Sequence, residues 1–285
     1  SVNMLRLTES LFSLRPDAEK SAYYERVLFN HILSAYDPEK GMCCYFTPMR
    51  PGHYRIYASR DSSFWCCGHT GLESPAKLGK FIYSHDSDGV RVNLFIPSVL
   101  SWKDKGVELT QHCNLLETDE VEFRLKARGE QRFVLRIRKP EWMKNPTFII
   151  NGKEELVTDS SGYCLFDRVW AHDNKIVLKY SMKPYVERLK KSDKYVALLY
   201  GPYVLAGRFG KKNLPDSFWS TMNNTARREL DLKEVPSLAC VADAVADNLK
   251  VISRNPLRFS LPLNGTKEIT IEPFYKMHFE RYIIY

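Results

Sequence analysis

Apolar residues in the first third of the chain recur at helical spacing. Met4, Leu5, Leu7, Leu11, Phe12 and Leu14 predict one helix, followed by a short connection around Arg15-Pro16-Asp17. A second amphipathic helix carries Tyr24, Val27, Leu28, His31, Ile32 and Ala35 on one face and ends before Asp37-Pro38. Helices joined this tightly are expected to run antiparallel, as in helical bundles and barrels. The first helix starts within a few residues of the chain end, so partners for its other side are expected to be elsewhere or missing. Residues 39–74 read as a loop-rich stretch dense in Tyr, Pro, Gly, Ser and Cys, closed by a short helix over roughly Leu72 to Tyr83.

The polar cluster Ser84-His85-Asp86-Ser87-Asp88-Gly89 forms a turn, and beyond it the period becomes two. Residues 90–96, 121–126 and 133–138 alternate as strands with one dry and one wet face. Phe148-Ile149-Ile150 runs into Asn151-Gly152, a strong hairpin-turn signal. Further strands are predicted at Lys175–Tyr180, Tyr195–Tyr200, Lys267–Ile271 and Arg281–Tyr285, while Asn213–Ala246 is mixed. Short strands at this spacing indicate a β-sandwich.

Composition adds limits. With 285 residues, 44% hydrophobic and 13% aromatic, the chain can bury a sizeable core. No apolar run reaches the roughly 20 residues of a membrane-spanning helix, Val196 to Gly207 being the longest. The net charge of +8 suits an acidic partner. However, Arg124, Lys126, Arg128, Arg136, Arg138 and Lys139 mostly fall on outward strand positions, which reads as a solvated face. Nucleic-acid binding favours a basic stripe interleaved with exposed aromatics, whereas the aromatics here alternate inward. Neither a membrane nor a nucleic acid is therefore expected as partner. The chain begins Ser1-Val2-Asn3-Met4, with neither initiator methionine nor signal-peptide pattern, as expected of a piece cut from a longer protein. Compartment and oligomeric state carry no sequence signal.

The seven cysteines include two vicinal pairs, Cys43-Cys44 and Cys66-Cys67. Adjacent cysteines rarely bridge without strain, so thiols, a metal or a reactive sulfur are favoured over a disulfide framework. The second pair follows Phe64-Trp65 and precedes Gly68-His69-Thr70-Gly71-Leu72-Glu73, a glycine-containing loop that opens a helix. Backbone N–H groups at a helix N-terminus favour an anion, so a thiolate there is stabilised, and zinc would fix it further. The competing reading is two small buried hydrophobes. A four-cysteine zinc cluster is disfavoured, because Cys-Cys lacks the C-x₂-C bite of structural sites.

Phe64-Trp65-Cys66-Cys67 with Gly71-Leu72-Glu73, preceded by Tyr45-Phe46-Thr47-Pro48, resembles the family 127 glycoside hydrolases, the β-L-arabinofuranosidases. Further matching pieces are residues 3–7, 24–33, 92–98, 198–202 and 273–278, with Arg281-Tyr282 near the end. The resemblance implies an α+β multidomain protein: the C-terminal part of an (α/α)₆ barrel over residues 1–88, a β-sandwich domain over 89–209, and a mostly β region over 210–285. It also implies a retaining hydrolase releasing terminal β-L-arabinofuranose from a glycan. Cys66 would be the catalytic nucleophile and a zinc ligand, Cys67 a second zinc ligand, and Tyr45 a sugar contact. The cofactor implied is Zn²⁺. The family's acid/base glutamate and its Glu-x-Cys zinc ligands would fall upstream of Ser1, so this chain alone is expected to be inactive.

Glu73 follows the thiols on the same helix, where capping or support fits better than acid catalysis. His31 reads as a core histidine, and His69 as either a neighbour of the thiols or a loop residue. His53, Arg55 and Tyr57 would suit a sugar cleft by residue type. Trp102, Trp142 and Trp170 read as sandwich core, and Cys113, Cys164 and Cys240 as buried and inert. Two other functions fit the same sequence: a non-catalytic carbohydrate-binding β-sandwich module, and a thiol–zinc scaffold.

Overall fold

A computed structural model describes residues 1–63, 65–190, 192, 195–220, 238, 240–264 and 267–285, without the side chains of Cys67, His69 and Leu72. It is a mixed α+β protein, mostly sheet with few helices, and it divides into two units. One unit holds residues 3–25 and 78–182; the other holds 1–2, 26–77 and 183–285.

In the first unit, helix α1 (Val2–Leu14) buries Leu5, Thr8 and Phe12 and leaves Met4, Leu7, Leu11 and Leu14 exposed. Helix α2 (Ala18–Val27) begins six residues before the face that the sequence pattern picks out. The signal is Asp17, whose Oδ1 accepts the Lys20 backbone N–H at 2.9 Å as an N-cap. The later part of the expected second helix, which belongs to the other unit, is a π turn over Leu28–Ile32 and a 3₁₀ turn over Leu33–Ala35. Phe81 packs edge-on to Phe12 at 5.0 Å and stacks on Tyr24 at 4.3 Å.

Nine strands form one sheet in this unit: β2 (Tyr83–His85), β3 (Gly89–Val92), β4 (Ser98–Trp102), β5 (Val107–Cys113), β6 (Glu120–Arg138), β7 (Lys144–Ile150), β8 (Lys153–Glu155), β9 (Thr158–Ser160) and β10 (Tyr163–Ser181). The order is β2-β3-β6-β10-β7-β8, with β4 on β5, β5 on β6 and β9 on β10; only β3–β6 is parallel. The predicted strands at 121–126 and 133–138 are one continuous 19-residue strand, antiparallel to the equally long β10. The pair shifts register between Trp170 and His172, and Gly129 (φ 77°) and His172 (φ 54°) take the left-handed backbone near this irregularity. The alternation holds: Val121, Phe123, Leu125, Leu135 and Ile137 are buried, while Arg124, Lys126 and Arg128 are exposed. Arg138 breaks it. Its side chain is fully buried and paired with Glu25 of α2, so it is no part of a solvated face. Asn151-Gly152 closes the β7–β8 hairpin with both residues at positive φ, as a type I′ turn requires.

The second unit contains β1 (Tyr57–Ala58), helix α3 (Cys66–Lys77), β11 (Pro184–Arg188), β12 (Val196–Tyr200), β13 (Tyr203–Arg208), β14 (Trp219–Ser220), β15 (Lys250–Arg254), β16 (Leu257–Pro262), β17 (Glu268–Pro273) and β18 (Tyr282–Ile283). A seven-stranded sheet runs β11-β12-β13-β17-β16-β15, with β18 on β13, and β1 and β14 form a separate parallel pair. Ala206, Phe274, Met277, Tyr282 and Ile284 pack as one buried cluster. Most of the stretch read as mixed, residues 221–237 and 239, lies outside the described residues.

Candidate functional site

Helix α3 begins at Cys66, so Gly68 and Gly71 lie inside a helix where the sequence pattern predicts a loop up to residue 74. The reason is packing. A Cβ on Gly71 would stand 2.7 Å from the Cys43 Sγ, so only glycine lets the helix lie against that cysteine. Pro75, also inside α3, has no N–H to give the Gly71 carbonyl four residues back. The Tyr36 hydroxyl donates to that carbonyl instead, at 2.5 Å. Tyr36 and Cys43 face each other across an isolated bridge, as do Cys44 and Tyr57. The first vicinal pair is thus structural: Cys43 and Cys44 are buried, and burial pushes the Cys43 thiol up.

Cys66 stands exposed on the first turn of α3. The N–H groups there have no intrahelical acceptor and favour a negative group beside them. Trp65 precedes it, and the half-buried Tyr45 ring packs edge-on to Trp65 at 5.4 Å and to Phe46 at 4.4 Å. The structure therefore brings Tyr45 and the Trp65-Cys66 segment together, although they lie 20 residues apart in the chain. Cys67 follows in the same helical turn, and its side chain, like Phe64 and the His69 side chain, lies outside what is described. Glu73 sits two turns further along, roughly 10 Å down the axis, exposed and ion-paired with Lys77. That distance suits support rather than proton delivery at Cys66.

Other candidates move elsewhere. Arg55 and Tyr57 are fully buried and do not line a cleft; His53 is half-buried. The Arg55 guanidinium lies over Phe274 at 4.1 Å, and its Nη2 donates to the Phe274 carbonyl at 3.2 Å. Tyr57 donates its hydroxyl proton to His278 Nδ1 at 2.5 Å, while His278 Nε2 donates to the Tyr275 carbonyl at 2.7 Å. Because a carbonyl can only accept, the neutral imidazole carries its proton on Nε2. Burial first, then the nearby Arg55 charge, depress His278 to about 4 from the ordinary 6.5. Below about pH 6.5 the unfolded chain takes up this proton before the folded one does. The stability His278 contributes is therefore complete above pH 6.5 and is lost as the pH falls through 4. Melting temperatures measured across pH 7 to 4 should fall less steeply in His278→Asn than in the parent; parallel curves would contradict this.

His31 is exposed, not a core residue, and its ring meets the Ser1 hydroxyl at 2.9 Å. Trp170 is fully buried with its Nε1 on the Phe133 carbonyl at 3.2 Å, and Trp102 packs edge-on to Phe133 at 5.6 Å. Trp142 donates to Glu25 at 3.1 Å and meets Phe95 and Tyr180 edge-on. All three tryptophans are engaged in packing. Cys164 is buried, while Cys113 and Cys240 are half-buried; burial raises Cys164 to about 11 and Cys113 to about 12, which keeps both protonated. Among the described residues no helix is long and apolar enough to cross a membrane.

Further contacts in this unit join residues far apart in the chain, which leave no sequence signal. Asp37, buried, accepts the Glu39 N–H at 2.8 Å and the Trp219 Nε1–H at 2.7 Å. Lys40 lies over the Trp219 ring at 3.4 Å. Ser63 donates its hydroxyl proton to the Ser220 carbonyl at 2.7 Å.

Thiolates are soft ligands suited to zinc, so the donor chemistry of Cys66 and Cys67 fits that ion. Among the described residues no three His, Cys, Asp or Glu side chains converge.

Three sequence families match the chain end to end. Residues 1–80 match the β-L-arabinofuranosidase GH127 catalytic domain, 89–182 the β-L-arabinofuranosidase GH127 middle domain, and 185–285 a domain of unknown function. Nothing among curated proteins matches. Among solved structures, a GH127 β-L-arabinofuranosidase from Geobacillus stearothermophilus T6 aligns with TM-score 0.67 at 18% identity over 98% of this chain and 48% of its own. A GH127 β-arabinofuranosidase aligns with TM-score 0.71 at 19% identity, covering 98% and 47%, and a structure described as a glycoside hydrolase with 0.73 at 17%, covering 98% and 50%. The chain spans about half the length of these structures.

Proposed function

Because the chain belongs to the family 127 glycoside hydrolases, we propose that it forms part of a retaining glycosidase that releases terminal β-L-arabinofuranose using Cys66 as nucleophile. The observation that carries the reading is Cys66 itself, exposed on the first turn of α3 beside Trp65 and Tyr45. In this reading α1, α2 and α3 are helices of an (α/α)₆ barrel. Cys66 and Cys67 would hold a zinc ion together with ligands from outside residues 1–285. Bound zinc would keep the thiol deprotonated at neutral pH.

The Cys66 thiolate attacks the anomeric carbon as the glycosidic C–O bond breaks. A glutamate from outside the 285 residues gives its proton to the leaving oxygen. The resulting carboxylate then takes a proton from water, which attacks the same carbon. The C–S bond breaks and the thiolate is restored. Two inversions give net retention. Tyr45, whose ring packs on Trp65, would contact the sugar in this reading, since a phenol offers both an apolar face and a hydroxyl.

The reading is tested by following hydrolysis of an aryl β-L-arabinofuranoside by the full-length protein with proton NMR. The β anomer of L-arabinose is expected as first product; the α anomer would overturn the double displacement.

A further inference from the structure

We propose that residues 185–285, matched by a family without an assigned function, hold the nucleophile-bearing segment in place, with Ser63 as a positioning residue for Cys66. The inference rests on the reading of Cys66 given above.

The segment leading to Cys66 is laced to this C-terminal region along its length. Gly52 N–H donates to the Tyr282 carbonyl at 2.9 Å, and Tyr282 N–H returns to the His53 carbonyl at 3.1 Å. Tyr57 and Ala58 then pair in parallel with Trp219 and Ser220. The last tie is made by two donors to one carbonyl. The Ser220 carbonyl accepts both the Ser59 N–H at 3.1 Å and the Ser63 hydroxyl at 2.7 Å. Ser63 Oγ in turn accepts the Ser59 N–H at 2.8 Å and the Ser59 hydroxyl at 2.9 Å. Residues 59–63 are thereby closed into a loop anchored on β14. Trp219, the other residue of β14, is fixed by its bond to Asp37 and by packing on Phe279 at 5.5 Å.

Ser63 lies three residues before Cys66, and its carbonyl stands 3.6 Å from where a Gly68 Cβ would be, against the first turn of α3. Gly71 and the Gly71 carbonyl are held on the other side by Cys43 and Tyr36. The start of α3 is thus held before Cys66 through Ser63 and after it at Gly71, and the Ser63 tie runs to the C-terminal region. A nucleophile moved by about 1 Å loses on the order of 10²-fold in rate, so a loosened Ser63 should act on turnover more than on binding.

The test uses the full-length protein and an aryl β-L-arabinofuranoside. Ser63→Ala should lower kcat about tenfold or more with KM within about twofold, and Ser63→Thr, which keeps the hydroxyl, should restore most of it. Trp219→Phe keeps an aromatic ring but loses the bond to Asp37; it should lower kcat in the same sense, and it carries the test if Ser63→Ala does not fold. A purely structural role would lower the melting temperature without separating kcat from KM. Parental kcat in the folded Ser63→Ala variant, or no rescue by threonine, overturns the inference. If that happens while Cys66→Ala is inactive, the proposed function stands; an active Cys66→Ala removes both.

Discussion

Replacing Cys66 by alanine in the full-length protein should lower kcat on an aryl β-L-arabinofuranoside on the order of 10⁴-fold or more, because removing a nucleophile eliminates the covalent route entirely. KM should change little, since a nucleophilic Cys66 would bond to the sugar only during reaction. The folded state should survive: Cys66 is exposed on the outer turn of α3 and fills no core space. That separation of activity from folding makes the variant informative. A Cys66→Ala protein with kcat within tenfold of the parent would require another nucleophile. Cys43 and Cys44 are poor replacements, being buried and committed to the packing of the 36–58 segment.

The second large effect concerns stability. Glu25 on α2 pairs with Arg138 at the end of β6, and both side chains are essentially removed from solvent. Trp142 donates to the other Glu25 oxygen, while Arg138 Nε and Nη1 find no acceptor among the described residues. Arg138 therefore depends on Glu25. Glu25→Ala leaves a buried guanidinium uncompensated, which costs about 3–5 kcal/mol and should lower the melting temperature by roughly 10 °C. Replacing both members with apolar residues, Glu25→Leu with Arg138→Met, should recover most of the loss, because burying an ion pair gains little over apolar packing of similar volume. A single variant that melts within about 2 °C of the parent would show that the Arg138 charge is compensated by another group.

These two residues illustrate what the amino-acid pattern conveys and what it does not. The strand alternation around Phe123, Leu125, Leu135 and Ile137 was legible because burial on one face repeats every two residues. Asn151-Gly152 was legible because the type I′ turn demands those residues. Arg138 was not. By parity it belongs with Arg136 on the wet face, and only the arrival of α2, more than a hundred residues earlier in the chain, covers it. Likewise Gly68 and Gly71 argue locally against a helix, and the contact with Cys43 that requires a glycine is invisible in sequence. Cys66 is singled out as the proposed nucleophile by a motif resemblance. The bond from Ser63 to Ser220 joins residues 157 apart and leaves no local trace.

The most direct test of Cys66 as nucleophile is acid quenching of the full-length protein during turnover of an aryl β-L-arabinofuranoside, followed by peptide mass mapping. The account predicts a pentosyl increment on the peptide holding Cys66, localised to that sulfur by fragmentation. A pentosyl group on an aspartate or glutamate, or on Cys67, would contradict it.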